Sequence, residues 1–410
     1  FTEDDKLNSM VPLWKTKKSD ITDEQYNDFY KKTYMAWSDP LKVIHTNVEG
    51  VISYDALLFI PSDVPFNFYS KVERNIREAR GGRCGVLIMD KCEDLLPSYF
   101  GFVSGLVDSP DLSLNISREM LQQDRQLRAI AQRLEKKLLQ AFGEMRDREP
   151  EKYEQFFDKF GIQLKYGVYD NYGADKDKIK DLLYYSGTTE AMSTLKDYVS
   201  RMPEDQKYIY YAAGESRSKI KMMPQMDLFT EKGYEVLYCT DEIDEFALMM
   251  MRAYDSKEFK NISDKDLGFE QSDDEKKAQE EKNEAAKDVL AAIKDALGNK
   301  VSSVILSARL KNHPVCFATA DGVSIEMEKI LKAQAAMSGN KEMSEVEADK
   351  VLELNGDMPF FEAIKQAVSD GDNDKISDYA HLLYDQALIS EGMPIEDPIA
   401  FGDRICKLMK

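Results

Sequence analysis

One helical pattern of apolar residues lies between two segments in which strands and helices alternate, and this order constrains the fold more than any other feature of the sequence. The apolar side chains recur at the spacing of an α-helix, at Met120, Leu127, Ile130, Leu134, Leu138, Ala141 and Met145. Strand-like runs flank this pattern, at 51–54, 57–60 and 86–89 before it and at 207–212 and 234–238 after it. We therefore predict an α/β protein with two α/β lobes joined by helices.

Capping residues and apolar spacing predict further helices. One covers 23–36, with Asp23 or Thr22 as its N-cap. Others are predicted over 151–160, 177–184, 215–222 and 241–251. In the last third of the chain, the predicted elements are a helix over 285–297 that ends at Gly298, a strand over 301–308, a helix over 376–390 that ends at Gly392, and a final helix that begins at Asp397-Pro398. These elements predict a smaller α+β domain that ends in helices.

A change in composition marks the start of that smaller domain. Of the 24 residues from 264 to 287, 14 are charged, 9 of them acidic and 5 basic, and aromatic residues nearly vanish. Such a segment buries little surface, so we interpret it as a solvated linker that leads into a helix. The predicted domains are a first domain over 1–262 (large lobe 1–115, helical connector 116–190, small lobe 191–262), a charged linker over 263–284 and a C-terminal domain over 285–410.

Overall composition excludes several classes of function. Hydrophobic residues make up 43% of the 410, enough for packed cores, and no apolar run reaches the roughly 20 residues that span a bilayer. A net charge of −20 argues against nucleic-acid binding, because phosphate backbones attract clustered Lys and Arg. The five cysteines form no CxxC pair, so we expect free thiols in a reducing cytoplasm, and the three separated histidines argue against a metal site. Since the chain starts at Phe1, we expect a fragment or a processed product.

Arg118 is placed where the electrostatics of a helix disfavour a cation. Ser117 lies at the expected N-cap, so Arg118 would be the first helical residue, beside unpaired N–H groups and the positive end of the helix dipole. That placement typically costs roughly 0.3–1 kcal/mol, and Glu119 offsets part of it. A cation held there is available to an anion, for which phosphate is the natural candidate. The simpler alternative is an arginine that points into solvent.

Motifs along nearly the whole chain follow the order of one known family. Around Arg118 they are Leu95-Leu96-Pro97, Gly105-Leu106-Val107-Asp108-Ser109 and the run 115–123. Elsewhere they are Leu13-Trp14, Asp39-Pro40-Leu41, Val48-Glu49-Gly50, 57–62, 198–202, 206–211, Gly214-Glu215-Ser216, 241–246 and 382–387. The chain resembles the middle and C-terminal domains of the heat shock protein 90 family, and its bacterial members most closely. Several long motifs in the right order are far more specific than any single one.

The resemblance implies a part in ATP hydrolysis. The family's nucleotide pocket lies in an N-terminal domain that precedes this segment. The resemblance implies that Arg118 reaches the γ-phosphate as an arginine finger when the domains close, with Gln122 as its companion. It implies domain-docking roles for Leu87 and Asn115; an ordinary core position is the alternative for Leu87. Cys84-Gly85 departs from the arginine pair of eukaryotic members.

The resemblance also implies ATP and Mg²⁺ in the full-length protein. None is expected on this segment, which should not hydrolyse ATP alone and has no GxxxxGK[ST] or GxGxxG motif.

The resemblance also implies that the protein binds unfolded or partly folded client proteins. Trp14 is flanked by lysines, so we expect it to be partly exposed, and it matches a family position linked to client contact. A core position at the edge of the lobe is the alternative. Met327, Ile330, Leu331 and Met337 lie at helical spacing on a segment similar to the family's exposed amphipathic helix.

Two apolar stripes near the end of the chain predict a homodimer. The first consists of Ile376, Tyr379, Leu383 and Ala387, and the second of Phe401, Ile405 and Leu408. In the family, the same two helices of a second subunit cover these stripes and form a four-helix interface. Packing within one chain is the alternative. The resemblance adds a bacterial chaperone of the seventy-kilodalton class as a partner. No nucleic acid or membrane is expected, nor tetratricopeptide co-chaperones, because the chain has no Glu-Glu-Val-Asp tail.

Two other functions stay open on the residues alone. One is a chaperone scaffold that holds clients without nucleotide. The other is a self-contained hydrolase, for which Gly214-Glu215-Ser216 would supply a serine nucleophile. No second glycine follows at the GxSxG spacing, and no histidine is near in sequence, so the hydrolase is the weaker alternative.

Overall fold

A computed structural model gives the fold of residues 11–64, 76–81, 86–89, 95–110, 125–269, 273–320 and 322–409. Over 76–81, 86–89 and 273–276 it describes the backbone alone. The chain divides into two compact units, Phe1–Tyr184 and Tyr185–Lys410. Both units combine helices with sheets, so the α/β class predicted from the sequence is confirmed.

The first unit is built on a mixed sheet. Its strands are β1 (Lys42–Val48), β2 (Tyr54–Ile60), β3 (Ile76–Gly81), β4 (Val86–Met89) and β5 (Ser104–Ser109). They lie in the order β1-β2-β5-β3-β4, with β3 parallel to β5 and the other neighbours antiparallel. Within β2 every residue except Asp55 is buried, as expected of a strand that is covered on both faces.

Helices cover this sheet. They are α1 (Asp23–Tyr34), α2 (Arg125–Arg148), α3 (Pro150–Gly173) and α4 (Lys176–Ile179), with short 3₁₀ turns at Leu13–Lys15, Lys18–Asp20, Ser98–Phe100 and Lys180–Leu182. Helix α1 begins with a capping box, because Thr22 Oγ1 accepts from the Gln25 N–H at 3.3 Å and Gln25 Oε1 accepts from the Thr22 N–H at 2.9 Å. The choice of Thr22 over Asp23 as N-cap is thereby settled.

Aromatic side chains fill the space between α2, α3 and the sheet. Phe142 of α2 stacks on Phe156 of α3 with 4.6 Å between ring centroids, and Phe102 lies 4.8 Å from Phe160. The apolar positions predicted on α2 are all buried within the described residues: Leu127, Ile130, Leu134, Leu138, Ala141 and Met145. Met120 lies outside the described residues. The helical spacing read from the sequence therefore marks the core face of α2.

The helix predicted over 177–184 is wrong in its second half. After α4 and the turn at Lys180–Leu182, the chain is extended and Tyr184–Gly187 forms strand β6. Ser186 and Gly187 pair with β9, and every residue of β6 is buried. In a short apolar run, periodicity cannot distinguish a buried strand from a buried helix, so the sequence pattern is ambiguous at the end of the predicted helix.

The second unit begins with a sheet of short strands. These are β6, β7 (Ser193–Thr194), β8 (Ile209–Ala213), β9 (Val236–Cys239), β10 (Ala253–Tyr254) and β11 (Lys257–Asn261), in the order β10-β11-β8-β9-β6-β7. Strands β11, β8 and β9 are parallel. The helices among them are α5 (Leu195–Arg201), α6 (Arg217–Lys221), α7 (Met226–Lys232) and α8 (Asp244–Met251).

The rest of this unit packs helices on a small sheet. Strands β12 (Ser303–Leu306), β13 (Val315–Thr319) and β14 (Lys350–Leu354) lie in the order β12-β14-β13. The helices are α9 (Asp273–Ala285), α10 (Lys287–Leu297), α11 (Ile325–Ser338), α12 (Lys341–Ser344), α13 (Pro359–Asp370), α14 (Asn373–Ser390) and α15 (Pro398–Leu408). Asp397 caps α15 by accepting from the N–H groups of Ile399 and Ala400, as predicted.

Arg309 ties the chain after β11 to the C-terminal sheet. Its guanidinium donates to the carbonyl oxygens of Ile262 and Asp264, each at 2.8 Å, and pairs with Glu353 at 3.0 Å. The backbone of Lys265 donates to the Thr319 carbonyl at 2.8 Å. The segment predicted as a charged linker therefore begins with backbone paired to β13 and continues as α9. The domain limits at 262 and 284 stay predictions.

Candidate functional site

An open cleft lies at the carboxyl ends of two neighbouring parallel strands, β8 and β9. The chain crosses from β8 to β9 on one side, and β11 is later added on the other side of β8. Connections that diverge in this way leave a crevice, which is where parallel sheets commonly bind ligands. The cleft has a volume of about 330 Å³, and six charged residues line it: Glu215, Asp241, Glu242, Glu245, Glu326 and Lys329.

The loop after β8 does not present a nucleophile to this cleft. The hydroxyl of Ser216 caps α6, since its Oγ accepts from the Lys219 N–H at 3.3 Å. Among the described residues that line the cleft, none is a histidine. Ser216 and a histidine base, the arrangement considered from the sequence, are therefore not brought together in this cleft.

Glu245 is the buried carboxyl of this cleft. It lies in the first turn of α8 and is 2% exposed. Ser324, the N-cap of α11, donates to its Oε2 at 2.5 Å, and Asn261 donates to its Oε1 at 2.9 Å. Burial raises the pKa of Glu245 to about 7, although these donors and Tyr211 lower it in part, and the charge of Glu326 raises it further. Glu245 thus joins α8, β11 and α11 through a carboxyl whose charge depends on pH near neutrality.

We expect Glu245→Gln to change how stability depends on pH. An unfolded glutamate has a pKa of about 4.3, so the folded chain holds this proton more tightly. The stabilisation that this bound proton gives to the folded state is complete below about pH 4 and is lost as the pH rises to about 7. The unfolding free energy of the wild type relative to Glu245→Gln should therefore fall by about 2–3 kcal/mol between pH 5 and pH 8. Urea unfolding at the two pH values measures it. Glu342→Gln, at an exposed position, is the control. If the unfolding free energies of the wild type and of both variants depend on pH in the same way, the raised pKa of Glu245 is contradicted.

The residues predicted to act on nucleotide lie mostly outside the described residues. This holds for Arg118, Gln122 and Asn115. Leu87 belongs to β4, where its backbone is in register with Arg80 of β3. The roles predicted for these four residues stay predictions.

The two tryptophans have opposite environments. Trp14 is 7% exposed, and its indole N–H donates to Asp108 at 3.0 Å. The prediction that Trp14 is partly exposed is therefore wrong. Its indole N–H donates to Asp108, which lies 94 residues later in the chain. Trp37 is fully exposed, and Met35, at the left-handed end of α1, is 85% exposed. Sequence reasoning missed this pair, although the interruption of the helical pattern before Asp39-Pro40 was a usable signal.

The four predicted client-binding residues of α11 differ in exposure. Met327 and Ile330 are buried, Leu331 is half-buried and Met337 is 90% exposed. The first turn of α11 is held by the Ser324 cap, which accepts from the Met327 N–H at 3.0 Å. Only the last turn of the helix therefore offers a wholly exposed apolar side chain. The client-binding role of these residues stays a prediction.

The two predicted dimer stripes also differ. Ile376, Leu383 and Ala387 of α14 are buried, and Tyr379 is partly buried. Leu383 and Ala387 belong to the same core as Phe317 of β13. On α15 no residue is buried: Phe401, Ile405 and Leu408 are half-buried, and Ile399 is 78% exposed. The α14 stripe is thus covered within the chain, whereas the α15 stripe is left partly open.

The described residues contain neither a membrane-spanning helix nor a cluster of metal ligands. None of the helices in the described ranges combines the length and apolar character needed to cross a bilayer. Within the same ranges, no three His, Cys, Asp or Glu side chains are grouped so as to hold a metal ion.

Comparison with known proteins places this fold in a family. Residues 1–410 match the family described as Hsp90 protein. The chain belongs to the Hsp90 family. Chaperone protein HtpG of Clostridium acetobutylicum is 50% identical over 411 residues, which cover 100% of this chain. Proteins of the same name from Clostridium perfringens and Oceanobacillus iheyensis are 49% and 50% identical and cover 100% and 99% of it. The resemblance drawn from the motifs is confirmed.

The matched relatives are longer than this chain. It spans 64% of the length of each of the three. The chain therefore belongs to a family of chaperones. What the whole, longer protein does is a proposal.

Proposed function

We propose that this chain forms part of an ATP-dependent chaperone that binds unfolded or partly folded client proteins in the cytoplasm. The match to the Hsp90 family over residues 1–410 carries this proposal. In the full-length protein, ATP and Mg²⁺ would bind in a domain other than the two units described here. Arg118 and Gln122 would act on the nucleotide from the middle segment, with Leu87 and Asn115 at the domain contact.

Exposed apolar side chains support client binding. Trp37 and Met35 on the first unit, and Met337 on the second, are almost wholly exposed. Large apolar side chains that meet water without covering a core are common at protein-binding surfaces, and Trp is frequent among the residues that dominate binding energy. Methionine adapts to partners of different shape. We therefore place client contact at Trp37 and Met35, and at the end of α11.

We expect Trp37→Ala to weaken client capture by about tenfold, because the indole would lose its contact area with the client. Met337→Ser should act in the same direction with a smaller effect. The measurement is the concentration of chain that suppresses aggregation of a heat-denatured protein by half. Trp14→Phe is the matched control: it alters the other tryptophan, which is buried, and should lower stability while leaving capture by the folded chain unchanged. If Trp37→Ala suppresses aggregation as well as the wild type, the surface is wrongly placed.

We further propose that the chain is a homodimer through its terminal helices. The partly open stripe on α15 supports this, since Phe401, Ile405 and Leu408 are only half-buried within the chain. The buried stripe on α14 would then support α15 from within the subunit and would not itself form the contact. Arg404 of α15 pairs with Asp385 of α14 at 3.2 Å, which fixes the orientation of α15.

We expect light scattering to give a mass near twice the 46.9 kDa of one chain. Ile405→Glu should weaken the dimer at least tenfold, because an unpaired carboxylate in an apolar interface loses its hydration. Asp403→Asn on the exposed face of the same helix is the control and should leave the dimer intact. A monomer at all concentrations would refute the interface.

The alternative is a scaffold that holds clients without nucleotide. Its support is the same exposed apolar surface, which needs no bound nucleotide to be exposed among the described residues. The two proposals differ in one respect: in the full-length protein, client capture should respond to ATP under the first and should be indifferent to it under the second. A bacterial chaperone of the seventy-kilodalton class stays a proposed partner under either.

A further inference from the structure

Strand β12 lies at one edge of the three-stranded sheet. It pairs in parallel with β14, and no described strand pairs with its other side. Just after the strand, the Ser307 N–H donates to the Leu354 carbonyl of β14 at 2.8 Å. Because the backbone groups of successive strand residues point alternately to the two sides, those of Leu306 and Val304 face away from β14. These groups form the edge to which a further strand can pair.

Two side chains of α9 occupy this edge at Leu306. Gln279 Nε2 donates to the Leu306 carbonyl at 3.0 Å, and the Leu306 N–H donates to Asn283 Oδ1 at 3.2 Å. Side-chain amides carry the same C=O and N–H groups as a peptide bond. Helix α9 therefore supplies the donor and the acceptor that a neighbouring strand would supply. Among the described side chains of α9, none bonds to Val304, so the edge is covered at one residue of the two.

Helix α9 buries little of its own surface. Of residues 277–285, none is buried, and only Gln279 and Asn283 are half-buried. A cavity of about 210 Å³ lies between the helix and Leu306, so the two do not pack closely there. The helix has 13 residues, and helices shorter than roughly 12–15 residues are marginal in water without packing. Lifting α9 from the edge therefore costs little beyond the two hydrogen bonds to Leu306.

We propose that the edge of β12 binds an extended segment of an unfolded polypeptide, which displaces Gln279 and Asn283 of α9. The inference rests on the proposed capture of client proteins and adds a mode of contact that depends on the peptide backbone. The segment would pair with Leu306 and Val304 as an added strand.

The two amides of α9 indicate this occupant, because they already present the groups of a peptide bond to the edge. A helical partner would not replace them, since its own N–H and C=O groups are bonded within the helix. A folded protein likewise keeps most of its backbone groups paired. An unfolded chain offers them freely, and pairing through the backbone accepts many sequences.

The first test compares two labelled peptides by fluorescence anisotropy with the 410-residue chain. One is an eight-residue peptide of alternating Thr and Val, and the other has the same sequence with every backbone nitrogen methylated. The methylated peptide has no N–H to donate to the Leu306 and Val304 carbonyls, so it should bind at least tenfold more weakly. Equal affinity for the two peptides, or no saturable binding of either, would overturn the proposal.

The second test removes the two amides of α9. Gln279→Ala combined with Asn283→Ala keeps α9 helical, because alanine favours a helix. It should raise the affinity for the unmethylated peptide by about tenfold, since the peptide no longer competes with two hydrogen bonds. Lys277→Ala combined with Glu281→Ala is the matched control: both residues are exposed on the same helix, and the pair of changes leaves the net charge as it is. An equal rise in the control would refute masking by the two amides.

Amide hydrogen exchange at Leu306 locates the bound peptide. In the Gln279→Ala, Asn283→Ala variant this N–H loses its acceptor and should exchange faster than in the wild type, and saturating peptide should slow it again. Unchanged exchange on adding peptide would place the peptide elsewhere and refute the site. Suppression of aggregation is measured separately. If the chain suppresses aggregation but β12 binds no peptide, this inference alone fails; if β12 binds the peptide but aggregation is not suppressed, the proposed chaperone function fails.

Discussion

Replacing Arg309 with leucine is expected to lower the unfolding free energy of the 185–410 unit by about 3–5 kcal/mol, the usual cost of breaking a buried ion pair. Arg309 is 4% exposed and Glu353 is 2% exposed, so the variant would leave an unpaired carboxylate in the core. The carbonyl oxygens of Ile262 and Asp264 would lose their donor as well. Ser307 would still donate to Glu353 at 2.6 Å, which moderates the loss without replacing the charge.

The location of the tryptophans allows the two units to be followed separately. Both tryptophans, Trp14 and Trp37, lie in the first unit, so tryptophan fluorescence during urea unfolding reports that unit. Circular dichroism reports both. Arg309→Leu should shift the dichroism transition to lower urea and leave the fluorescence transition in place. A single shifted transition in both signals would mean that the units unfold together.

Two further variants test whether the lost charge is the cause. Arg309→Leu combined with Glu353→Leu should recover much of the stability, since paired apolar replacements of a buried ion pair are often neutral. Lys287→Leu breaks the exposed pair with Glu284 and should leave the stability nearly unchanged. If Arg309→Leu costs no more than Lys287→Leu, the buried pair does not stabilise the unit.

Local signals in the sequence predicted the ends of several elements. The cap of α1 at Thr22, the cap of α15 at Asp397 and the glycine after α10, Gly298 with a φ of +57°, each depend on residues within one turn of the helix. The buried face of α2 depends on its own spacing alone. Such features are readable because the atoms that decide them are neighbours in the chain.

Burial that depends on distant residues could not be predicted. The lysines beside Trp14 suggested exposure, but the acceptor for its indole is Asp108 of strand β5, far away in the sequence. Glu245 likewise owes its environment to Asn261 and to Ser324, which lies 79 residues later. For α14, spacing predicted an apolar stripe correctly, but whether the same chain or a second one covers it depends on the position of β13 and α10.

The family motifs predicted what the local signals could not, namely the family itself, and they imply roles for residues that would act together with a second domain. Arg118 is the main case. The sequence predicts that Arg118 begins a helix, where a cation would gain nothing from its own backbone, so this predicted position favours binding of an anion from outside the segment. A transferring phosphate has the charge and the planar array of oxygens that a guanidinium binds through two hydrogen bonds.

We expect Arg118→Ala, made in a full-length protein that contains this segment, to lower the rate of ATP hydrolysis by about 10³-fold or more, the range found for arginine fingers. Nucleotide affinity should stay nearly unchanged, because the arginine would contact the phosphate only when the domains close. Arg118→Lys should recover only part of the rate, since an ammonium keeps the charge but not the two-pronged geometry. Gln122→Ala should have a smaller effect in the same direction. Single-turnover hydrolysis and equilibrium nucleotide binding measure the two quantities separately.

Arg125→Ala is the matched control, because Arg125 is an exposed arginine seven residues after Arg118 in the sequence. It should leave both the rate and the affinity as they are. A loss of rate in Arg125→Ala equal to that in Arg118→Ala would mean that the positive charge of this helix acts as a whole and that Arg118 has no special role. A loss of affinity in Arg118→Ala that matches its loss of rate would mean that the arginine stabilises bound ATP and the transition state equally, which is binding and not catalysis. Only a fall in rate at constant affinity, confined to Arg118 and Gln122, supports an arginine finger supplied by this segment.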